Sequence, residues 1–283
     1  SLVGNLVGYF AVAYAVCTPL LAVFTEDGIA IRGIYERNDV SSRKLEGLPE
    51  TTGWARYDEN ASTPKSDTSV IMNENGVRYS VDFENGQKTG FFLDQKYNRR
   101  AVAKIAQGKR VLDCFTHTGS FALNAALGGA AHVNAVDISQ LAVDQARKNA
   151  QLNGVEDRME FTCANVFDLL TKLEQERCSD YDFIILDPPA FTKNRRSIEA
   201  ATRGYKDINY RAMRILPRGG YLATCSCSHF MDTERFKKML ASAAHDAGVR
   251  LRQIEERQQA PDHPIVWGIS ETDYLKFFLF QIV

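Results

Sequence analysis

The sequence predicts an α/β protein built on a doubly wound, largely parallel sheet, and three observations predict it. From residue 110 onward short apolar runs alternate with stretches of helical spacing, the pattern of strands that cross over through helices packed on both sheet faces. Acidic or amide residues stand just past several of those runs, where open α/β sheets bind their ligands. Before residue 95 the pattern changes to β-rich runs divided by turn residues, which reads as a separate, smaller unit. Two domains are therefore expected: a small α+β domain over residues 1–94 and the doubly wound domain over residues 95–283.

Taken in order, the apolar stretch from Leu6 to Phe24 has the length of a membrane span, yet it contains Pro19 and several small residues and follows no basic segment. We read it as buried βα structure, cut from a longer protein because the chain starts abruptly without Met. Gly28 to Glu36 reads as a strand and Arg37 to Lys65, rich in Gly, Pro, Ser and Asn, as long loops. Asn73-Glu74-Asn75-Gly76 divides Thr68 to Met72 from Val77 to Phe83 as a hairpin, and Glu84-Asn85-Gly86 leads to a further strand at Thr89 to Leu93.

Beyond Asp94, Gln95 to Gln107 has helical spacing and Arg110 to Cys114 is the first strand of the repeating series. Further strands are expected at Val133 to Asp137, Met159 to Cys163, Tyr181 to Asp187 and Tyr221 to Ser226. Helices are expected at Ser120 to Leu127, Leu141 to Asn153, Val166 to Glu176, Ile198 to Leu216 and Thr233 to Ala247. Arg250 to Glu256 and Tyr274 to Ile282 close the chain as an antiparallel hairpin on the sheet edge.

Composition narrows the chemistry. With 34 Lys plus Arg against 35 Asp plus Glu, the net charge of −1 creates no global field for a polyanion, so any nucleic-acid contact must come from a local basic patch. Cys17, Cys114, Cys163, Cys178, Cys225 and Cys227 are scattered rather than densely spaced, which reads as reduced thiols in the cytoplasm. No metal site is expected, since Cys225 and Cys227 lack a second ligand pair.

The first strand runs into Asp113-Cys114-Phe115-Thr116-His117-Thr118-Gly119-Ser120, a tight turn in which Gly119 lets the backbone approach a ligand. It lacks the glycine density of a pyrophosphate site, which weighs against dinucleotides and favours a ligand without phosphates. Asp137 ends the second strand, where a carboxylate accepts both hydroxyls of a ribose, and Ile138 would lie against an adenine ring. Asn165 follows the third strand with a two-sided amide suited to adenine, and Asp187 follows the fourth. Four such residues in register point to S-adenosylmethionine (SAM), bound by Asp113, Thr118, Gly119, Asp137, Ile138, Asn165 and Asp187.

In Asp187-Pro188-Pro189-Ala190-Phe191 two prolines stiffen the loop for recognition of a planar ring. Lys193, Arg195 and Arg196 flank it, and Arg43, Lys44, Arg99 and Arg100 are further basic candidates. After the fifth strand, Thr224-Cys225-Ser226-Cys227-Ser228 brings thiols to the same sheet edge, and a thiolate is suited to attack an electron-poor ring carbon. Alternation puts both cysteines on one side if the strand continues, so geometry alone does not choose between them. Position, further past the apolar run, favours Cys227.

The Asp113 turn, Asp187-Pro188-Pro189-Ala190-Phe191 and Ser226-Cys227-Ser228 resemble the bacterial 23S ribosomal RNA cytosine-C5 methyltransferases. Ile34-Tyr35-Glu36-Arg37, Arg43 to Gly47, Lys88 to Gln95 and Asp262-His263-Pro264 extend the resemblance over nearly the whole chain. It implies a Rossmann-like SAM-dependent fold whose last strand is antiparallel, and addition of Cys227 to C6 of cytosine so that C5 takes the methyl group. It further implies that Asp187 holds the N3 edge, that Pro188, Pro189, Phe191 and Lys193 contact the substrate, and that a hairpin Lys88 to Gln95 folds over the cofactor with Phe92 packing on it. The implied partner is single-stranded or looped ribosomal RNA, with homodimerisation left open. Asn165 stands where the family usually has Asp, and the family's N-terminal RNA-binding PUA domain is absent from this sequence. The base that removes the C5 proton is not identified, since the Asp187 loop holds no second cysteine. The rival expectation is a SAM enzyme acting on another RNA, a protein or a small molecule, with Cys227 structural.

Overall fold

A computed structural model describes residues 17–39, 42–45, 47–86, 90–192 and 195–283. They form two compact units: residues 1–70 with Val81–Phe91, and Ile71–Ser80 with Phe92–Val283. The division is thus not a single boundary near residue 94, because the segment Ile71–Ser80 belongs with the larger unit.

In the smaller unit, residues 17–26 are helical (α1). Leu20, Val23 and Phe24 are exposed on it, so the described part of the apolar stretch is not the buried βα structure expected; residues 6–16 lie outside the described residues. Among the described residues no helix is long and apolar enough to cross a membrane. Strand β1 (Gly33–Asn38) pairs antiparallel with β2 (Thr51–Tyr57), and one helical turn, α2 (Ser42–Leu45), lies between them. Strand β2 falls where loops were expected. Its Trp54 explains why it forms: the ring meets Tyr35 at 5.2 Å and Phe83 at 5.6 Å, an edge-on aromatic cluster that rewards the pairing with burial.

Strands β3 (Ser69–Glu74) and β4 (Val77–Asp82) form the expected hairpin. Its turn residues Asn75 and Gly76 both have positive φ, at 54° and 86°, as a two-residue turn matched to strand twist requires. The part of this hairpin that belongs to the larger unit is held by side chains. Ser80 N donates to Asn149 Oδ1 at 2.8 Å and Arg78 N to Asn153 Oδ1 at 2.9 Å, while Arg99 pairs twice with Glu74 at 2.7 Å. The further strand expected at Thr89 to Leu93 is absent from residues 90–93, which run into a 3-10 turn at Leu93–Gln95; residues 87–89 lie outside the described residues.

The larger unit is the doubly wound domain. Helix α3 (Lys96–Ile105) leads into β5 (Arg110–Cys114), α4 (Ser120–Leu127), β6 (His132–Asp137), α5 (Gln140–Asn153), β7 (Met159–Cys163) and α6 (Val166–Gln175). Then follow β8 (Phe183–Leu186), α7 (Ile198–Ile215), β9 (Tyr221–Ser226), α8 (Thr233–Ala247), β10 (Leu251–Arg257) and β11 (Lys276–Ile282). The seven strands lie in the order β10-β11-β9-β8-β5-β6-β7. The five from β9 to β7 are parallel, and β11 and β10 return antiparallel.

Strand β8 reads Phe-Ile-Ile-Leu and is wholly buried, as a central parallel strand covered on both faces must be. Helices α6, α7 and α8 pack together on one side of the sheet, and α3, α4 and α5 associate in the same way. Winding runs outward from β5 to β7, then restarts at β8 in the other direction. The carboxyl ends of β5 and β8 therefore flank the topological switch point, where the sheet opens a crevice for a ligand.

Candidate active site

The turn after β5 is bent by its backbone. Phe115, His117 and Gly119 have φ of 63°, 51° and 81°, and left-handed non-glycine residues persist only where surrounding contacts hold them, at a cost of about 1–3 kcal/mol each. Those contacts are present. Thr116 N donates to Val136 O and His117 N to Asp137 Oδ2, both at 2.9 Å. Asp113 Oδ2 accepts from Thr116 Oγ1 at 2.6 Å and from Ala122 N at 2.9 Å, tying the strand to the first turn of α4. A Cβ on Gly119 would lie 2.9 Å from Ala146 Cβ, so the close approach that demands glycine here is to α5 rather than to a ligand.

Two polar atoms at this turn are buried without a partner, Asp113 Oδ1 and Thr118 Oγ1. Each costs about 1–3 kcal/mol when nothing satisfies it, and such atoms in native sites mark a missing ligand group or water. Burial, offset in part by the Thr116 hydrogen bond and reinforced by Asp187, pushes the Asp113 carboxyl up to about 7. His117 is driven below its ordinary value by burial, and its ring meets Phe92 edge-on at 5.3 Å.

Asp137 Oδ1 also accepts from Ser139 N at 3.0 Å, leaving the half-buried carboxylate further lone pairs for hydroxyls. Beside it Ile138 is 70% exposed, an apolar surface open to a flat ring. Asn165 is exposed and caps α6, its Oδ1 accepting from Phe167 N at 2.9 Å. The cap occupies the amide oxygen expected to read adenine, so a ligand is left chiefly the amide nitrogen.

Asp187 stands just past β8 and accepts from Gln95 Nε2 at 3.0 Å. Burial first, then the neighbouring Asp94 charge, push its carboxyl up to about 7 against the opposing pull of Arg99. Asp94 is held in turn by the Tyr274 hydroxyl at 2.9 Å, and Asp262 pairs with Lys96. Pro188 is buried and Pro189 exposed. Phe191, expected at the substrate, packs on Tyr205 with ring centroids 4.6 Å apart and on Phe167 at 5.7 Å, which makes it part of the aromatic floor beneath the loop. Lys193 lies outside the described residues. Arg99 is 1% exposed in its ion pair with Glu74, so it is no phosphate contact, and Arg43 is buried with its Nε donating to Pro49 O at 2.7 Å.

The two cysteines separate. Cys225 is fully buried in β9, and burial with the Asp187 charge pushes its thiol well above the ordinary range. Strand β9 ends at Ser226, so Cys227 steps out of the alternation and is half-buried at the sheet's carboxyl edge. Sequence reasoning missed Gln95, Asp94, Tyr274 and Lys276. Only Lys276 left a local signal, a lone cation opening an otherwise apolar run.

A family model described as S-adenosylmethionine-dependent methyltransferase matches residues 59–281. The chain belongs to that family. Among its relatives, the ribosomal RNA large subunit methyltransferase I of Shewanella amazonensis is 47% identical over 244 residues, 86% of this chain and 60% of its own length. The protein of the same name from Aliivibrio fischeri is 46% identical over 251 residues, 88% of this chain and 62% of its own. The chain thus spans about three fifths of the length of the curated relatives it matches. A solved SAM-dependent methyltransferase from Streptococcus mutans superposes with a TM-score of 0.74 at 23% identity, covering 95% of this chain and 66% of that one. The methyltransferase SMU.776, solved with SAH bound, gives 0.69 at 25% identity, covering 80% and 58%.

The cofactor of this methyltransferase family is SAM, and the residues present fit it. A switch point without a glycine-rich phosphate cradle, a carboxylate beside an exposed isoleucine, and two orphaned buried oxygens suit a nucleoside carrying an amino-acid tail.

Proposed function

We propose that this chain is the methyl-transferring part of an enzyme that methylates C5 of a cytosine in 23S ribosomal RNA through a covalent adduct between Cys227 and C6. The observation that carries the reading is the pairing, at one sheet edge, of a half-buried thiol released from β9 with a carboxyl at the end of β8 pushed up to about 7. Relatives at 46–47% identity that bear the name ribosomal RNA large subunit methyltransferase I support it.

In this reading Asp137 takes the ribose hydroxyls, Ile138 and the Asn165 amide take the adenine, and Phe92 packs on the cofactor. Asp113 Oδ1 and Thr118 Oγ1 take the amino-acid end, with Gly119 shaping the turn that presents them. Bound SAM supplies an electrophilic methyl group.

A carboxyl near 7 is protonated in about half the molecules at neutral pH, so Asp187 can donate to N3. When the Cys227 thiolate bonds to C6, the ring electrons move toward C5 and the N3 edge, and the Asp187 proton neutralises that edge. The electron-rich C5 of that adduct would be the atom that accepts the methyl group SAM supplies when held by Asp137, Ile138, Asn165, Asp113 and Thr118. Loss of the C5 proton to a base restores the C5–C6 double bond and expels the thiolate, and the N3 proton returns to Asp187. Pro188 and Pro189 stiffen the wall of the base pocket and Phe191 supports it from beneath, while Lys193 contributes charge for the backbone. C5 and C6 are shielded in a stacked helix, so the substrate is a single-stranded or looped segment, met in the cytoplasm. Every residue invoked comes from one chain, so the reading needs no homodimer.

The test is to incubate the protein with SAM and 23S ribosomal RNA and to map methylated positions by bisulfite sequencing. One 5-methylcytosine is expected, abolished in Cys227→Ala while SAM binding persists. Methylation at wild-type rate by Cys227→Ala, or methyl transfer to another class of acceptor and none to cytosine, would overturn it.

A further inference from the structure

Strand β11 is apolar almost throughout, and Lys276, which opens it, is 3% exposed. A buried cation is sustained only by hydrogen bonds and by a countercharge. Its Nζ donates to Ser228 O at 2.6 Å and to Tyr274 O at 2.8 Å, which uses two of the three ammonium hydrogens. Among the described residues no carboxylate forms an ion pair with it, and the acidic groups close enough to favour its charged form are Cys227 first, then Asp273 and Asp232.

The sheet register accounts for this placement. Lys276 pairs with Ser226, the residue before Cys227, and its bond to Ser228 O grips the residue after. The thiol is therefore held on both sides of its own position by one side chain's strand pairing and hydrogen bond. Among the described residues, the titratable groups that feel Cys227 include the Tyr205 phenol on α7, the Tyr274 phenol on the approach to β11 and the Cys225 thiol on β9, each raised chiefly by burial. All three are neutral at physiological pH, whereas Lys276 brings a positive charge to the loop that carries Cys227.

We infer that the Lys276 ammonium is the countercharge that keeps Cys227 in its thiolate form and that its bond to Ser228 O fixes the loop carrying the thiol. Lys276 is thus a positioning residue for the nucleophile; that role rests on the function proposed above, whereas the ion pair does not. The proton balance is simple: the Cys227 thiol loses its proton to solvent and the sulfur faces an ammonium already charged. Burial pulls the Lys276 amine down to about 8 and Cys227 opposes the shift, so the amine is mostly charged at neutral pH.

The experiment measures the rate of Cys227 alkylation by iodoacetamide against pH in the whole protein, read by peptide mass spectrometry so that the other cysteines do not interfere. The wild-type midpoint is expected below the ordinary thiol value of about 8.5. Loss of an opposite charge at close range moves a pKa by about 1–3 units, so Lys276→Met should raise the midpoint and slow alkylation at neutral pH tenfold or more, whereas Lys276→Arg should stay near wild type. SAM titration by calorimetry verifies that each variant is folded. An unchanged midpoint in a SAM-binding Lys276→Met overturns the inference, and a wild-type midpoint at or above the ordinary thiol value overturns it without any variant. Because no RNA enters the assay, a lowered midpoint in a protein that fails to methylate cytosine sinks the proposed reaction and leaves the ion pair standing.

Discussion

Replacing Asp187 by Asn should make the protein more stable at alkaline pH and leave it nearly unchanged at acid pH. Burial holds the Asp187 carboxyl at about 7 against an ordinary 3.8. Because the folded value is raised, the favourable contribution of the protonated form is complete below about 4 and is lost as pH rises through about 7. Each unit is worth about 1.4 kcal/mol, so the gap sets a ceiling of about 4 kcal/mol on the penalty of ionising Asp187 in the folded protein. Relaxation and water entry lower the effective cost of a buried charge, and coupling to the similarly raised Asp113 spreads it over two groups; an effect of about 1–2 kcal/mol is expected. The amide preserves the contact that matters locally, since its oxygen still accepts from Gln95 Nε2. Urea unfolding of both proteins at about pH 4 and about pH 8.5, at the two ends of that window, reads the difference directly. A stability difference of equal size at both pH values would refute the reasoning, because a packing change does not titrate.

The remaining predictions concern the frame of the site. Arg99→Met leaves Glu74 charged and unpaired in the interior and should cost about 3–5 kcal/mol in chemical denaturation, much of it recovered in the double variant with Glu74→Gln. Gly119→Ala forces a side chain into a left-handed φ of 81° and to within 2.9 Å of Ala146. The loss should be about 1–3 kcal/mol, accompanied by weaker SAM binding in calorimetry as the turn shifts; a stable variant with unaltered binding would show that the turn does not shape the cofactor site.

Most of the larger unit was legible residue by residue. Strands β5, β7 and β9 and helices α4 and α8 begin and end where the apolar runs and helical spacing placed them, because burial on both faces writes a local pattern into each segment. Strand β2 was not legible, since Thr-Thr-Gly-Trp-Ala-Arg-Tyr carries little period of its own and is stabilised by β1 and by Trp54 meeting Tyr35 and Phe83. The segment after Gly90 misled in the opposite sense: aromatic residues suggest a strand, but residues 90–92 are not strand and lead into the 3-10 turn at Leu93–Gln95, with Phe92 meeting the His117 ring instead of a neighbouring strand. The same distinction runs through the site. That acids stand at strand ends is a matter of sequence; that Asp113 braces a turn, that Asn165 caps a helix and that Phe191 floors the loop are matters of neighbours.

What the sequence by itself determined is the α/β architecture, the switch-point location of the site and a thiol at its edge, since each follows from patterns within one segment. What only the tertiary structure decided is which groups are charged and which are enclosed. Arg99 reads as a basic surface residue and is a buried partner of Glu74; Cys225 and Cys227 read alike and only Cys227 leaves the strand; Lys276 reads as an interruption and lies against the loop that carries Cys227. Charge and reactivity depend on the dielectric and the partners that surround a group, and those are brought together by contacts between residues far apart in the chain.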